Sequence, residues 1–202
     1  MLIVFEGIDG SGKETQIRRL LRFFRQGGVK FRLRKYPTKR AREALSHLKG
    51  EKNLPAAELA GVFARDIIED KPAMEREMQA GFVVVCDRYL HSTLAYQGVE
   101  AGFGELRRML EGMGAPVPDL TIVLDVEAGV GAGRKAAQKA PDRFEKDVAF
   151  ISKVRENYRR MEREHFLSYE YASIDSSRPE DEVFSQVVTS VEPLVAKLIK
   201  SG

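Results

Sequence analysis

A glycine-rich segment near the start of the chain has the composition and spacing of a phosphate-binding loop. Residues 7–13 read Gly-Ile-Asp-Gly-Ser-Gly-Lys and follow the pattern G-x-x-x-x-G-K. The glycines let the backbone curl so that N–H groups point at phosphate oxygens, and a helix that starts near Lys13 adds its positive end. Lys13 can then reach the β- and γ-phosphates of a nucleoside triphosphate. The alternative is a glycine-rich strand-to-helix turn that binds no ligand.

The residue after this lysine departs from the pattern. The motif calls for Ser or Thr, whose hydroxyl binds Mg²⁺, whereas this chain has Glu14 followed by Thr15. Thr15 lies about 100° further round the helix, so it cannot substitute without rearrangement. A carboxylate is a competent Mg²⁺ ligand, and the first turn of a helix favours negative charge. We therefore predict that Glu14 holds the metal, directly or through water; the alternative is that Glu14 turns away and Asp87 holds it alone.

A second group of chemically useful residues follows the apolar run 82–86, where the chain reads Asp87-Arg88-Tyr89. P-loop enzymes place a metal-organising carboxylate at the C-terminal end of a buried strand, and open α/β sheets bind ligands at that edge. We predict that Asp87 organises the metal and that Arg88 clamps phosphoryl oxygens. The alternatives are a helix cap or loop acid for Asp87 and a surface ion pair for Arg88.

Continuous apolar runs predict the strands that position these groups. Runs rich in Val and Ile are typical of strands that are buried on both faces of a parallel sheet. An alternating run predicts an edge strand with one face in water, and a weaker run predicts a fifth strand. The three buried runs are residues 2–5, 82–86 and 120–124; the edge strand is 29–34 and the fifth strand is 171–175.

Helical patterns lie between these strands. A helix after the glycine-rich loop should end at Gly27, and another should span residues 55–80 with a break at Pro72. Strand–helix alternation predicts an α/β fold, a doubly wound parallel sheet flanked by helices. Because no linker or repeat interrupts it, we expect residues 1–202 to form one domain.

Composition excludes several classes of protein. Charged residues make up 31% and hydrophobic residues 43%, and no apolar run approaches the ~18–20 residues of a membrane span. A single cysteine excludes an internal disulfide, and the N-terminus has no secretory features, so the cytoplasm is the expected compartment. The net charge of +3 does not indicate nucleic acid, although residues 15–42 contain eleven Lys or Arg and no acid. That basic stretch predicts either a solvated surface or a field that attracts phosphorylated small molecules.

The combined motifs resemble those of thymidylate kinases. The resemblance runs from residue 2 to about residue 190, and the block formed by residues 87–89 and 95–98 is more specific than the phosphate loop. It consists of Phe-Glu-Gly-Ile-Asp-Gly-Ser-Gly-Lys at 5–13, Asp-Arg-Tyr at 87–89, Ala-Tyr-Gln-Gly at 95–98 and Asp-Arg-Phe-Glu at 142–145. The resemblance implies a P-loop fold of the nucleoside monophosphate kinase type with a five-stranded parallel sheet, a homodimer, ATP with Mg²⁺ as donor, and dTMP as acceptor. Neither nucleic acid nor a membrane is an expected partner.

The resemblance also implies roles for individual residues. Asp9 would hold the 3′-hydroxyl of the acceptor sugar, Arg88 would bind its phosphate, and Tyr96 would crowd the 2′ position and so prefer deoxyribose. Phe63 would stack on the base. Phe63 and Tyr96 have the alternative of being ordinary core aromatics. The triphosphate set is Gly7, Ile8, Asp9, Gly10, Ser11, Gly12, Lys13, Glu14, Thr15 and Arg134; the monophosphate set is Asp9, Lys35, Tyr36, Phe63, Arg88, Ser92, Thr93, Tyr96 and Gln97.

A basic segment, residues 134–143, is predicted to be a mobile lid. It contains Arg134, Lys135, Lys139 and Arg143 and follows three closely spaced glycines. A basic flap that closes over a triphosphate excludes water and stabilises the transferring group. Since Gly10 leaves the phosphate loop without an arginine, the resemblance implies that the lid supplies the cation, which makes Lys13, Arg88 and Arg143 the catalytic set. The alternative is a solvated basic helix end.

The base pocket departs from the family pattern. The family has Phe-x-x-Asn/Asp-Arg, in which the arginine bonds O4 of thymine, whereas this chain reads Phe-Ala-Arg-Asp-Ile at 63–67. Ile67 occupies the arginine's place, and Arg65 points about 200° away on a helix. Lys35 likewise provides a point charge where the family often has arginine. We therefore expect poor base selectivity. Two other functions stay open: a nucleoside monophosphate kinase of broader base range, and a non-catalytic nucleotide-binding regulator.

Overall fold

The computed structural model describes residues 1–136 and 147–200, which contain a five-stranded, all-parallel sheet. The strand order is β2-β3-β1-β4-β5. Their bounds are Leu2–Glu6 for β1, Phe31–Lys35 for β2, Val83–Asp87 for β3, Leu120–Asp125 for β4 and Glu170–Asp175 for β5. The prediction of a parallel α/β sheet is confirmed, and β2 lies at the edge as its alternating pattern indicates.

Eight helices are described, and they cover both faces of the sheet. Helices α1 and α8 contact each other on one face, and α4 contacts α3, α5 and α7 on the other. The helices are α1 Lys13–Gln26, α2 Arg42–Leu48, α3 Ala56–Gln79, α4 Leu90–Ala101, α5 Phe103–Glu111, α6 Ala128–Ala136, α7 Val148–Arg163 and α8 Glu180–Lys200. None of the helices within the described ranges has the length and apolar character that crossing a membrane requires.

Strand β1 shows why the central strands read as continuous apolar runs. Successive side chains point to opposite faces of a sheet, so Leu2 and Val4 enter one core while Ile3 and Phe5 enter the other. All four side chains are fully buried. The two cores hold the carboxyl ends of β1, β3 and β4 at one edge, where the predicted site residues lie.

The predicted helix break at Pro72 is wrong, because α3 continues through this residue. Proline removes one backbone donor from a helix and disturbs the preceding turn. Pro72 is exposed, while Ile67 and Met74 on either side of it are buried in the same core. Burial of the two flanking turns therefore keeps the helix continuous.

Candidate functional site

The phosphate loop is confined by its neighbours on two sides. Gly7 has a φ of 133°, and a β-carbon there would lie 2.5 Å from the carbonyl oxygen of Leu124 at the end of β4. Gly10 has a φ of 76°, and a β-carbon there would collide with the backbone of Gly131 in α6. Only glycine combines these backbone angles with such close approaches. The loop is therefore held between β4 and α6.

Lys13 begins α1 and points back over the loop. Its ammonium donates to the carbonyl oxygens of Gly7 at 2.8 Å and Ile8 at 2.9 Å. Burial, and after it the positive charge of Arg88, lower the pKa of Lys13 to about 7, against the opposing effect of the carboxylates of Asp9, Asp87 and Glu6. A phosphate oxygen would bring further negative charge to this buried ammonium.

Arg88 follows β3 and lies beside the phosphate loop. It donates through Nη2 to the carboxylate of Asp9 and through Nη1 to the hydroxyl of Ser92 at 2.9 Å. The guanidinium carbon lies 5.4 Å from the ring centre of Tyr96, within the range of a cation–π contact. The structure thus brings together the residues predicted to bind the acceptor phosphate, hold its 3′-hydroxyl and exclude a 2′-hydroxyl, and the Arg88 side chain, paired with Asp9, is 19% exposed.

A cavity of about 150 Å³ opens from this cluster. Asp9, Arg88 and Ser92 belong to its lining, together with Phe63, Ile67 and Leu48 among others. The cavity brings together eight of the nine residues predicted for the monophosphate, namely Asp9, Tyr36, Phe63, Arg88, Ser92, Thr93, Tyr96 and Gln97. Ile67, predicted to replace a base-binding arginine, lines it as well, while Arg65 is exposed.

Lys35 is the predicted monophosphate ligand that does not line this cavity. Its ammonium lies 3.2 Å from the carboxylate of Asp87, the last residue of β3, and its side chain is 66% exposed. Asp87 itself is buried and contributes to the electrostatic environment of Lys13. A buried carboxylate beside the phosphate loop is a hard oxygen ligand of the kind Mg²⁺ uses together with substrate phosphates, so Asp87 fits a metal.

Glu14 lies on the outer side of α1. Its side chain is 79% exposed, and its carboxylate is 3.8 Å from Arg18, one turn along the helix. Within residues 1–136 and 147–200, no group of three or more acidic, His or Cys side chains could hold a metal ion. The metal role of Glu14 stays a prediction.

The polar neighbours of Ile67 are bonded to the loop after β2. The buried carboxylate of Asp66 accepts from the backbone N–H and the hydroxyl of Thr38 and, at 3.3 Å, from Arg40. One turn on, Asp70 accepts from Tyr36 at 2.9 Å and from Arg40 at 2.7 Å. These bonds hold Tyr36 and Pro37 in the cavity wall. The carboxylate of Asp66 is itself bonded to Thr38 and Arg40.

The predicted lid is described only in part. Arg134 donates to the backbone carbonyls of Ser176 at 2.8 Å and Ser177 at 3.4 Å, at the junction of β5 and α8. Arg143 and Lys139, and the side chain of Lys135, lie outside the described residues.

Sequence reasoning missed one functional candidate, Glu6, at the end of β1. Its carboxylate is fully buried and accepts from the backbone N–H groups of Tyr89 and Ser92, the Ser92 hydroxyl and the Tyr158 hydroxyl. Buried carboxylates require partners, so an acid at the end of an apolar strand, directly before the glycine-rich loop, was the available signal. Tyr158 could not be assigned from sequence, because nothing in its pattern places α7 against β1.

Comparison with known proteins gives a consistent picture. The model of the thymidylate kinase family matches residues 5–187. The thymidylate kinase of Deinococcus radiodurans is 32% identical over 206 residues, covering 95% of this chain and 96% of that protein. The probable thymidylate kinase of Pyrobaculum calidifontis is 34% identical over 207 residues, covering 98% and 99%, and the thymidylate kinase of Dehalococcoides mccartyi is 34% identical over 211 residues, covering 96% and 97%.

Proposed function

This chain belongs to the thymidylate kinase family, and we propose that it transfers the γ-phosphoryl group of ATP to dTMP, giving dTDP and ADP. The observation that carries the proposal is the cavity of about 150 Å³ that starts beside the phosphate loop at Arg88 and Asp9. An acceptor bound there would have its phosphate next to the loop that binds the donor. Such positioning is a large part of catalysis by phosphoryl-transfer enzymes. We further propose that residues 1–202 act as one kinase domain.

We propose the following roles at the phosphate end of the cavity. The loop N–H groups and Lys13 bind the triphosphate, and Lys13 leaves its contacts with the loop carbonyls for phosphate oxygens. Arg88 binds the acceptor phosphate, and Arg143 adds a second positive charge as the lid closes. Charge that spreads over the transferring group is then stabilised from several directions in a site that excludes water.

Sugar and base occupy the remainder of the cavity in this proposal. Asp9 accepts from the 3′-hydroxyl, and the ring of Tyr96 excludes a 2′-hydroxyl. Phe63 stacks on the base, and Thr93 and Gln97 offer it polar groups. The side chain of Ile67 cannot form a hydrogen bond to the base. A second candidate function therefore rests on this one residue: a nucleoside monophosphate kinase of broader base range.

The metal site of the proposal consists of Asp87 together with the phosphates of ATP. A Mg²⁺ ion held there would supply positive charge that offsets the charge of the phosphates. To bind this ion, the Asp87 carboxylate would give up its ion pair with Lys35. Glu14 would become a second ligand of the ion if its exposed side chain turns inward. Assembly as a homodimer and a cytoplasmic location complete the proposal; light scattering of the purified protein tests the dimer.

The experiment that tests this function is an ATP-consumption screen of the purified protein against all common ribo- and deoxyribonucleoside monophosphates, with chromatographic identification of the diphosphate. Formation of dTDP that depends on enzyme, ATP and a divalent cation supports it. Turnover that favours another monophosphate would replace dTMP as the acceptor. ATP binding without turnover of any acceptor would point to the non-catalytic alternative.

A further inference from the structure

We propose that Glu6 is a positioning residue that sets both the orientation of the Arg88 side chain and the start of helix α4. The inference rests on the proposed function in so far as Arg88 binds the acceptor phosphate. Its evidence is the set of hydrogen bonds around one fully buried carboxylate at the end of β1.

The first link runs through the hydroxyl of Ser92. This hydroxyl lies 2.6 Å from Oε2 of Glu6 and 2.9 Å from Nη1 of Arg88. A carboxylate only accepts and a guanidinium only donates, so the serine proton points to Glu6 and a serine lone pair faces Arg88. The bond to Glu6 therefore orients the Ser92 hydroxyl so that it can accept from Arg88, beside the Tyr158 hydroxyl at 3.0 Å.

The second link runs through the backbone. Arg88 has a φ of 70°, which is uncommon for a residue other than glycine and needs support from its surroundings. Two hydrogen bonds to residues of β1 support this backbone conformation. The Arg88 N–H donates to the carbonyl oxygen of Phe5 at 3.0 Å, and the Tyr89 N–H donates to Oε1 of Glu6 at 2.7 Å.

Glu6 also caps helix α4 from another element. The N-cap residue, Tyr89, provides no side-chain cap, and Oε1 of Glu6 accepts instead from the N–H groups of Tyr89 and, at 3.1 Å, Ser92. A carboxylate at this end also interacts favourably with the helix dipole. Glu6 thus determines where α4 starts, and Ser92 and Tyr96 of this helix contact Arg88.

The charge of Glu6 is compensated within the same cluster. Burial raises the pKa of Glu6 overall, and the positive charge of Arg88 and the hydrogen bonds from Ser92 and Tyr158 offset part of this rise. Four hydrogen-bond donors contact the two carboxylate oxygens of Glu6, so a proton on this carboxylate would displace at least one donor. Tyr158 donates at 2.9 Å and ties α7 to the same carboxylate.

The decisive variant is Glu6→Gln, which keeps the shape but places an NH₂ group where one oxygen accepts. We expect the KM for the acceptor to rise at least about tenfold and kcat to fall, while the dissociation constant for ATP stays within about threefold, because Arg88 is misoriented and the phosphate loop is not. Thr121→Val is the matched control: it removes a buried hydroxyl of β4 that donates to the hydroxyl of Ser168 at 2.9 Å. It should lower Tm without changing the acceptor KM.

Ser92→Ala separates the positioning role from folding. It keeps Glu6 and both backbone bonds but removes the bridge to Arg88, so it should reproduce the rise in acceptor KM with an intact α4. Because Ser92 itself lines the cavity, this variant supports the proposal only beside a Glu6 variant, and if Glu6→Gln does not fold, Glu6→Asp, which keeps the charge but shortens the reach to Ser92, takes its place. Acceptor KM and kcat within about threefold of wild type in the variant that folds would overturn the proposal. So would an equal loss of affinity for ATP and acceptor.

The wild-type acceptor screen distinguishes a failure of this inference from a failure of the proposed function. If wild type prefers another monophosphate, the variants are measured with that acceptor. A readout that needs no substrate is amide hydrogen exchange at Tyr89 and Ser92. Exchange there should be faster in Glu6→Gln than in Thr121→Val, and equal protection in both would contradict the proposed capping of α4.

Discussion

In the proposed mode of binding, the phosphate end of the cavity lies at Arg88 and the base end at Phe63 and Ile67, and the two ends are built from different interactions. At the phosphate end, Arg88 is bonded to Asp9 and Ser92, and Ser92 is in turn bonded to Glu6. At the base end, Phe63 and Ile67 offer apolar surface, and Asp66, the charged neighbour of Ile67, is bonded elsewhere.

This difference separates the chemistry from the choice of base. Buried hydrogen-bonding groups reject a wrong partner strongly because they would be left unpaired, whereas an apolar pocket discriminates by only about 10–200-fold. The phosphate end would therefore specify one reaction geometry. The base end would select mainly by shape, apart from the polar groups that Thr93 and Gln97 offer, and several bases share that shape.

The largest effect is expected at Lys13. Lys13→Ala removes the ammonium that would contact the transferring phosphates, so kcat should fall at least about a hundredfold. Steady-state kinetics measures this, and circular dichroism checks that the fold is intact. Turnover within a few-fold of wild type would remove Lys13 from the mechanism.

The next effect concerns the support of the phosphate loop by α6. A β-carbon at Gly131 would lie 2.8 Å from the carbonyl oxygen of Asp9, whereas β-carbons at Gly129 and Gly133 would meet nothing within 4 Å. Gly131→Ala should push the loop out of place and lower kcat/KM for ATP at least about tenfold. Gly129→Ala and Gly133→Ala are matched controls in the same helix that should keep activity and stabilise α6 by about 0.5–1 kcal/mol. Equal kinetics for all three would show that the loop does not depend on this contact.

A smaller effect is expected at Glu14. If Glu14 takes the role of the missing hydroxyl, Glu14→Ala should raise the Mg²⁺ concentration for half-activation by about fivefold, and Glu14→Thr should restore ordinary magnesium behaviour. Titrations of Mg²⁺ and Mn²⁺ against the three proteins measure this. Identical metal curves would mean that Glu14 stays paired with Arg18 and that Asp87 serves the metal without it.

The smallest effect sharpens the contrast at the base end. Ile67→Arg introduces a donor that can reach O4 of thymine but finds an amino group at the same position of cytosine. The preference for dTMP over dCMP should rise about tenfold, with little change in kcat for dTMP. The ratio of kcat/KM values reports it, and an unchanged ratio would place base recognition elsewhere in the cavity.

Much of the fold, and most of the residues that line the cavity, could be predicted from the sequence. The polar groups that support the phosphate end could not. The apolar runs predicted the strands because both faces of the sheet are buried. The glycine spacing predicted the phosphate loop because the backbone angles and close contacts of that loop require glycine. Continuity of α3 through Pro72 was not accessible, because it depends on burial of Ile67 and Met74 in the tertiary structure.

The polar support of the site was the part that sequence could not supply. Glu6 and Tyr158 are separated by more than a hundred residues and meet at 2.9 Å only through the packing of α7. The pairing of Lys35 with Asp87 follows from the register of β2 and β3, in which these two residues are opposite each other. Pairings of this kind arise from topology and leave no local periodicity.

The most direct test of the contrast is the discrimination of the unmodified enzyme among acceptors, measured as kcat/KM for dTMP, dUMP, dCMP and dGMP with ATP and Mg²⁺. We predict that dTMP is phosphorylated and that at least one other pyrimidine deoxynucleotide follows within about 200-fold, as expected of an apolar pocket. A preference for dTMP above about 10⁴-fold over all the others would contradict the account, because it requires a hydrogen-bonding residue that reads the base.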